Sequence, residues 1–263
     1  GIPVLNAITG LGTAFLRDGW LQRLVRQLYK QALPASPSVM FENPDDLALF
    51  VGAGLLRPEQ AVQVPGPGVD IAHFAPRPLP DVHGDAPVFL LVARMLRDKG
   101  VVEYVEAARL LRARHPHARF VLLGFLGVEN VSAIHQEQMD EWVKEGVVDY
   151  LGVTTDVRPF IQDSTCVVLP SFYREGIPFT LMEGAASGRP LVATNGVGCK
   201  EVIDDGVNGF LCKLKDAEDL AHCMELIIRM TPEQLPGYVE SLRWLQEKYK
   251  DQISIKIGLE CEY

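Results

Sequence analysis

Alternation of short apolar runs with longer amphipathic segments is the feature that most constrains how this chain folds. From residue 88 onward, the apolar runs are separated by segments of helical periodicity and by turns of a few residues. Near-continuous apolar runs are typical of strands buried on both faces, as in a parallel sheet. The sequence therefore predicts an α/β fold with a doubly wound parallel sheet and right-handed crossovers. The predicted strands are Val88–Ala93, Phe120–Leu123, Val147–Leu151, Cys166–Leu169 and Leu191–Ala193. The predicted helices are Val101–Arg114, Ser132–Glu145, Asp156–Ile161, Phe179–Ser187, Ala217–Met230 and Glu233–Tyr249.

A smaller α/β portion precedes this region. Its predicted strands are Ile2–Ile8, Ser38–Phe41 and Ala61–Val64, and its predicted helices are Trp20–Leu33 and a second one that runs to Gly52. The second helix has a strong start, with Asn43 as N-cap and Pro44 at the first helical position.

Bulk composition excludes several classes of protein. With 263 residues, 48% hydrophobic content and a net charge of −9, the chain can bury a full core and shows no global basis for binding nucleic acid. It contains no apolar run of about 18 residues, the length that a transmembrane helix needs. Five cysteines without a C-x-x-C pair indicate a reducing compartment, namely Cys166, Cys199, Cys212, Cys223 and Cys261.

Two glutamates bracket the start of the helix that follows the Cys166–Leu169 strand. Glu175 lies just before it, and Glu183 lies one turn inside it, about 6 Å along the axis from Phe179 at 1.5 Å per residue. Free N–H groups at a helix start favour an anion, so a phosphate bound there would leave Glu183 near ribose hydroxyls and Glu175 on the far side of the phosphate. The alternative is that both carboxylates only complement the helix dipole.

Basic side chains follow the Val88–Ala93 strand. Arg94 comes directly after it and Lys99 five residues later, so one folded loop could bring both to the same diphosphate. Ligands of doubly wound sheets bind beyond the carboxyl ends of the strands, and Gly124, Gly152 and Glu175 also follow strand ends. The alternative is a solvated loop with two ordinary surface cations.

Several motifs resemble the donor-binding half of family-4 glycosyltransferases, which have the GT-B fold. They are E-G-x-P at 175–178, E-x7-E at 175–183, G-x-P-x-V-A-T at 188–194, E-V-I-x-x-G-x-x-G-F at 201–210, V-A-R-M-L-R-D-K-G at 92–100 and G-V-D-I-A-H-F-A-P at 68–76. The resemblance extends from about residue 38 to about residue 230. It is strongest to bacterial enzymes that build capsule, lipopolysaccharide or exopolysaccharide.

The resemblance implies a hexosyltransferase that uses a nucleotide sugar, with a UDP-sugar favoured, and that retains the anomeric configuration. It implies catalytic roles for Glu175, Arg94 and Lys99. Neither a cofactor nor a metal is expected, because the two basic side chains would stabilise the departing diphosphate. The implied donor-binding residues are Glu183, Gly176, Ile177, Pro178, Phe179, Thr180, Gly124, Gly152, Val153 and Gly68.

The same resemblance implies a domain organisation. Residues 1–76 are expected to be a remnant of the N-terminal, acceptor-side Rossmann-like domain, 77–87 a linker, 88–240 the complete donor-binding domain, and 241–263 a C-terminal helix and tail. The expected partners are a nucleotide sugar and a glycan or polyprenyl-linked acceptor, in a cytoplasmic setting.

The segment Trp20–Leu33 adds a possible membrane contact, because it is amphipathic, basic and free of acidic residues. It would hold the enzyme at the inner face of an anionic bilayer. The alternative is an ordinary helix packed on its own sheet, with the rest of the first domain covering its exposed face.

Three functional hypotheses remain open at this stage. The first is an active glycosyltransferase. The second is a donor-binding module that transfers nothing without the rest of the first domain. The third is another GT-B enzyme, such as a sugar-nucleotide epimerase or a phosphorylase, which the E-x7-E context makes the least favoured.

Overall fold

The computed structural model describes residues 4–15, 19–80 and 86–230 and contains two parallel sheets. The smaller sheet has the order β1-β2-β3, and two helices accompany it. Its elements are β1 (Asn6–Ile8), α1 (Trp20–Ala32), β2 (Val39–Phe41), α2 (Pro44–Gly52) and β3 (Ala61–Gln63). The predicted cap is confirmed, because the Asn43 side chain accepts a hydrogen bond from the backbone N–H of Asp46 at 2.8 Å.

The larger sheet has six parallel strands in the order β6-β5-β4-β7-β8-β9. The chain builds outward from β4 through β5 to β6, then returns to the other side of β4 to form β7. This order confirms the predicted doubly wound α/β fold, and it creates a crevice between β4 and β7, where such sheets bind ligands. The strands are β4 (Val88–Val92), β5 (Arg119–Leu123), β6 (Asp149–Tyr150), β7 (Cys166–Leu169), β8 (Leu191–Thr194) and β9 (Gly209–Cys212). The helices are α3 (Val101–Arg112), α4 (Gln136–Glu145), α5 (Arg158–Gln162), α6 (Phe179–Ala186) and α7 (Ala217–Arg229).

Both faces of the larger sheet are buried, as its apolar strands predict. In β4, Phe89 and Leu91 face the core under α3, α4 and α7, whereas Leu90 faces the core under α5 and α6. Tyr104 of α3 is fully buried; its hydroxyl donates to the carbonyl of Phe89 at 2.7 Å and accepts from the N–H of Val121 at 3.2 Å. It thereby ties two neighbouring strands of the sheet together beneath α3.

The sequence placed the start of one helix wrongly and missed one strand. Helix α4 begins at Gln136 rather than at Ser132, because the residues before it pair with the loop after β4: Ile134 N–H donates to the Met95 carbonyl at 2.9 Å, and Arg97 N–H to that of Ser132 at 2.7 Å. Strand β9 was not predicted at all. The proposed helix Glu233–Tyr249 and the tail to residue 263 lie outside the described residues.

The six-stranded sheet and helices α3–α7 form the larger unit of the chain. A fully buried arginine attaches the start of the predicted linker to this unit. The Arg189 guanidinium donates to the carbonyl of Ser164 at 3.3 Å and to those of Arg77 and Pro78 at 2.6 Å and 3.2 Å. Burial lowers the pKa of Arg189 to about 10.

Helix α1 has apolar side chains that pack against the core and others that are exposed to solvent. Val25 and Tyr29 pack against the small core that contains Phe50, as predicted for a packed helix. Four further apolar side chains on this helix are exposed, namely Trp20, Leu21, Leu24 and Leu28. Within the described ranges, every helix is too short or too polar to cross a bilayer.

Candidate functional site

The loop after β4 and the glycines after β5 and β6 lie side by side at the carboxyl edge of the sheet. Ala93 N–H donates to the Leu123 carbonyl at 3.1 Å, and Gly124 N–H donates to the Gly152 carbonyl at 2.7 Å. Gly124 has a φ of 138°, and a Cβ there would lie 1.9 Å from the Ala93 carbonyl oxygen, so only glycine fits. The structure thus brings Gly124 and Gly152 together beside Arg94. The Arg94 side chain is exposed, and its guanidinium makes no hydrogen bond or ion pair with the described residues.

The same loop is fastened to the loop after β7. The Asp98 carbonyl accepts from the N–H groups of Phe172 and Tyr173 at 3.0 Å and 2.9 Å. Gly100, with a φ of 75°, allows close approach, because a Cβ there would lie 2.0 Å from the Pro170 carbonyl oxygen. These contacts place the two loops on opposite sides of the β4–β7 crevice.

Lys99 and Glu175 meet across this crevice in an ion pair. The Lys99 Nζ lies 2.5 Å from Glu175 Oε1, and the two side chains are only 14% and 11% exposed. Ser171 Oγ donates to the same carboxylate oxygen at 2.7 Å, and the Tyr173 ring lies 5.2 Å from Lys99 Nζ. The sequence placed both charged residues at this edge but did not predict that they pair with each other.

Helix α6 begins at Phe179 behind Pro178, where the missing N–H of proline does no harm. Two polar groups in its first five residues have no hydrogen-bonding partner within the described residues. Thr180 Oγ1 is buried, and the half-buried Glu183 carboxylate has a pKa that burial raises above its usual range. The helix dipole acts most strongly within the first turn, and Glu183 lies beyond that turn. Complementing the dipole therefore does not explain why this carboxylate is half-buried. The exposed Phe179 side chain lies beside them.

The loop that carries Glu175 is held by the smaller unit, which consists of the three-stranded sheet with α1 and α2. Glu42 is buried, and its Oε2 accepts from the Ile177 N–H at 2.8 Å; burial raises the pKa of this carboxyl although that hydrogen bond lowers it. Asn43 Nδ2 donates to the Glu175 carbonyl at 3.3 Å. The fully buried Asp46 accepts from the Arg174 guanidinium at 2.8 Å and 2.7 Å.

Sequence reasoning missed Glu42, Asp46 and Arg174. One signal was available for Glu42, because it follows the end of a predicted strand just as Arg94 does. Asn43 and its neighbours were interpreted only as a helix start, which explains their spacing without any long-range contact.

The two remaining predicted residues lie at the margins of the crevice. Gly68 is exposed in the crossing segment, and it is Gly66 that approaches the loop, since a Cβ there would lie 2.9 Å from Ile177 Cβ. Val153, after β6, is 51% exposed. It therefore presents an apolar surface at the carboxyl edge of the sheet, next to Gly152.

Comparison with known proteins agrees with this geometry. A family model described as glycosyl transferases group 1 matches residues 86–230. An N,N'-diacetylbacillosaminyl-diphospho-undecaprenol alpha-1,3-N-acetylgalactosaminyltransferase of Campylobacter jejuni is 29% identical over 84% of this chain and 60% of its own length. The putative glycosyltransferase EpsD of Bacillus subtilis is 31% identical over 76% of this chain and 55% of its own length. The chain thus spans little more than half the length of these relatives.

Solved structures share the fold at low sequence identity. The HepE protein of Anabaena in complex with UDP has a TM-score of 0.76 at 19% identity, covering 94% of this chain and 68% of HepE. A sucrose-phosphate synthase of Thermosynechococcus elongatus has a TM-score of 0.75 at 20% identity, covering 93% of this chain and 63% of its own length. These structures confirm the predicted GT-B fold. With the family model spanning more than half of its residues, the chain belongs to the group 1 glycosyl transferases.

Proposed function

We propose that this chain binds a nucleotide sugar in the β4–β7 crevice and belongs to an enzyme that transfers the sugar to a glycan or polyprenyl-linked acceptor. The wider setting would be bacterial cell-surface polysaccharide synthesis. Family membership supports the reaction class. The UDP bound to HepE and the diphospho-undecaprenol in the name of the Campylobacter relative support a UDP-sugar and a lipid-linked acceptor.

One observation carries this proposal: a largely buried Lys99–Glu175 ion pair in the crevice, followed in the chain by a helix whose start holds polar groups that lack partners within the described residues. Buried polar groups in folded proteins are nearly always hydrogen-bonded. The buried, unpaired Thr180 hydroxyl, with the half-buried Glu183 carboxylate and the exposed Arg94 guanidinium, therefore marks a surface suited to a polar, anionic ligand.

The proposed chemistry follows from charge. As the bond from the anomeric carbon to the diphosphate breaks, the departing group gains negative charge. Arg94 would meet that charge with a fork of donors and Lys99 with a compact ammonium, so no metal ion is part of the proposal. A bound diphosphate would compete with Glu175 for Lys99, which frees the Glu175 carboxylate for the sugar hydroxyls. Glu183 would accept from the ribose hydroxyls, and retention of configuration is proposed on family grounds.

The test compares two arginines of the same loop. Arg94→Ala should weaken binding of UDP by about 1–3 kcal/mol, the range for a hydrogen bond to a charged group. Arg97→Ala is the matched control, because Arg97 is also exposed but its guanidinium donates to Gln138 at 2.8 Å. Calorimetric titration in EDTA should give unchanged binding for Arg97→Ala. Equal affinities for both variants, or binding only with added metal, would refute the proposed site.

The two glutamates should separate the nucleotide from the sugar. Glu183→Gln should weaken binding of UDP and of the UDP-sugar alike. Glu175→Gln should spare UDP and remove the additional affinity, or the turnover, that depends on the sugar. Proportional losses for both ligands in both variants would contradict the assigned geometry.

The competing hypotheses are outcomes of one assay. Transfer by this chain alone supports an active enzyme, and donor binding without transfer supports a binding module that needs the rest of the first domain. Epimerised sugar nucleotide, or turnover that depends on phosphate, would identify a different GT-B activity.

We also propose that α1 contacts the inner face of an anionic membrane near the acceptor. The exposed Trp20 and Leu24 offer apolar area, and the exposed Arg23 and Lys30 offer charge worth about 1 kcal/mol each near such a surface. Flotation with anionic liposomes should fall for Arg23→Glu/Lys30→Glu and with salt, but not for the control Arg112→Glu in α3. Unchanged flotation of the double variant would show that the helix only packs.

A further inference from the structure

Within the loop that carries Glu175, the segment 174–177 forms several hydrogen bonds with the smaller unit. The Arg174 carbonyl accepts from the N–H groups of Leu11 and Gly12 at 3.1 Å and 3.3 Å. The Glu175 carbonyl accepts from Asn43, and the Ile177 N–H donates to Glu42. The side chain of Glu175 instead turns back to its own unit, to Lys99 and Ser171.

The two units are also packed closely at this point. Gly10 forms an isolated antiparallel bridge with Glu175. A Cβ at Gly176 would lie 1.9 Å from Glu42 Oε2 and 2.5 Å from the Thr9 carbonyl oxygen. The smaller unit therefore lies directly against the backbone that carries the Glu175 side chain.

Two ion pairs also connect the smaller unit to the larger one near this loop. Asp46 is fully buried at the interface, and its burial is offset by the Arg174 guanidinium and the Asn43 carboxamide, which donates to Asp46 Oδ2 at 3.0 Å. Asp45, on the same helical turn, instead pairs with Lys200 at 2.8 Å, with both side chains more than a third exposed. The first turn of α2 thus makes a buried contact with Arg174, the neighbour of Glu175, and a more exposed contact with Lys200.

We propose that Glu42 and Asn43 are positioning residues for Glu175: the smaller unit, through them, aims the carboxylate that handles the transferred sugar. This inference rests on the proposed function, because it assumes that Glu175 faces the sugar. Its consequence is that contacts made by the acceptor-side unit set the geometry of the donor-side site. A displacement of about 1 Å in such a group can cost up to about a hundredfold in rate.

The test uses the full chain with UDP and a UDP-sugar that the wild type binds. Its readout is the sugar increment, defined as the Kd for UDP divided by the Kd for the UDP-sugar. Glu42→Ala removes the acceptor for Ile177, and Glu42→Gln restores an oxygen acceptor. Asn43→Ser keeps an N-cap hydroxyl but removes the carboxamide donor. Asp45→Asn is the matched control.

We expect Glu42→Ala and Asn43→Ser to lower the sugar increment about tenfold while leaving the affinity for UDP within about twofold of wild type. Glu42→Gln and Asp45→Asn should keep the increment. If Glu42→Ala does not fold, as judged by its melting curve, Asn43→Ser carries the test.

The reference variant Glu175→Gln separates the two possible failures. If Glu175→Gln lowers the increment and neither Glu42→Ala nor Asn43→Ser does, the positioning inference is wrong and the proposed function stands. If Glu175→Gln keeps the increment, Glu175 contributes nothing to binding of the sugar, and the inference is overturned with it. Equal losses of UDP and UDP-sugar binding in Glu42→Ala would also overturn it, because that pattern indicates general disruption.

Discussion

Replacing Gly176 by alanine tests how closely the two units meet. The backbone of Gly176 lies outside the left-handed region, so alanine is opposed only by lack of space. The added methyl group would overlap Glu42 Oε2 and the Thr9 carbonyl oxygen. Glu42 can rotate away at the cost of its hydrogen bond to Ile177, but the Thr9 oxygen belongs to the backbone and can move only with its loop.

The size of the effect follows from the distances. A Cβ would lie 2.5 Å from the Thr9 oxygen. Taking about 3.3 Å as a comfortable carbon–oxygen separation, the loop at Gly176 and Thr9 must move apart by about 0.8 Å. Overpacking of this kind costs about 1–3 kcal/mol in free energy of unfolding. Each kcal/mol corresponds to roughly 2–4 °C in melting temperature for a domain of this size.

The assay is thermal melting of Gly176→Ala beside Gly52→Ala, followed by titration with the UDP-sugar. Gly52 closes α2, and a Cβ there would meet nothing within 4 Å, so alanine at this position should be neutral or slightly stabilising. Gly176→Ala should melt earlier and lose the sugar increment. Identical melting and binding for the two variants would refute the claim that the smaller unit closes against this segment.

Three further predictions concern stability and thiol reactivity. Hydrogen bonds from His115 and Arg229 lower the pKa of Glu225 in the folded state. The carboxylate therefore contributes its full stabilisation above about pH 4.3, the pKa of an unfolded glutamate, and loses it as the pH falls through the lower pKa of the folded state. The difference in melting temperature between wild type and Glu225→Gln should therefore be present at neutral pH and vanish in acid, and a constant difference would contradict this account. Tyr104→Phe should lower the free energy of unfolding in urea by about 1–3 kcal/mol, because two backbone groups lose a buried partner; a change below about 0.5 kcal/mol would refute it. Burial raises the pKa of Cys223 to about 11, and in a Cys261→Ser variant the four remaining cysteines, all buried, should react with a thiol reagent only as fast as the protein unfolds.

Local patterns predicted the elements that position the site. The strand Cys166–Leu169 was predicted at its observed bounds, and the helix behind Pro178 to within one residue. Both follow from features within one turn of the chain: a continuous apolar run, a proline suited to a first turn, and Gly188 after the end.

Long-range contacts explain what the sequence did not predict. Strand β9 is only four residues long, and it is a strand because it pairs with β8 at the edge of the sheet. Residues 132–134 directly precede a helical pattern, but hydrogen bonds to the loop after β4 hold them outside the helix. Helical propensity is a weak preference that tertiary contacts commonly override.

The charged contacts at the site were unpredictable for the same reason. Lys99 and Glu175 are 76 residues apart, and Glu42 and Ile177 are 135 apart. No spacing rule links such positions, because they meet only after both units have folded. The strand-end rule located the edge of the sheet but could not say which side chains pair there.

Arg189 determines where this chain can be cut. Its guanidinium has no access to water, and two of its three carbonyl partners, those of Arg77 and Pro78, belong to a segment that the sequence assigns to the linker. A fragment beginning at Val88 would leave that cation with a single acceptor, at Ser164, inside an apolar interior where an unpaired charge is strongly unfavourable. A fragment beginning before Arg77 keeps all three. The larger unit is therefore inseparable from the first residues of the predicted linker, and recombination with a foreign smaller unit should be made upstream of residue 77.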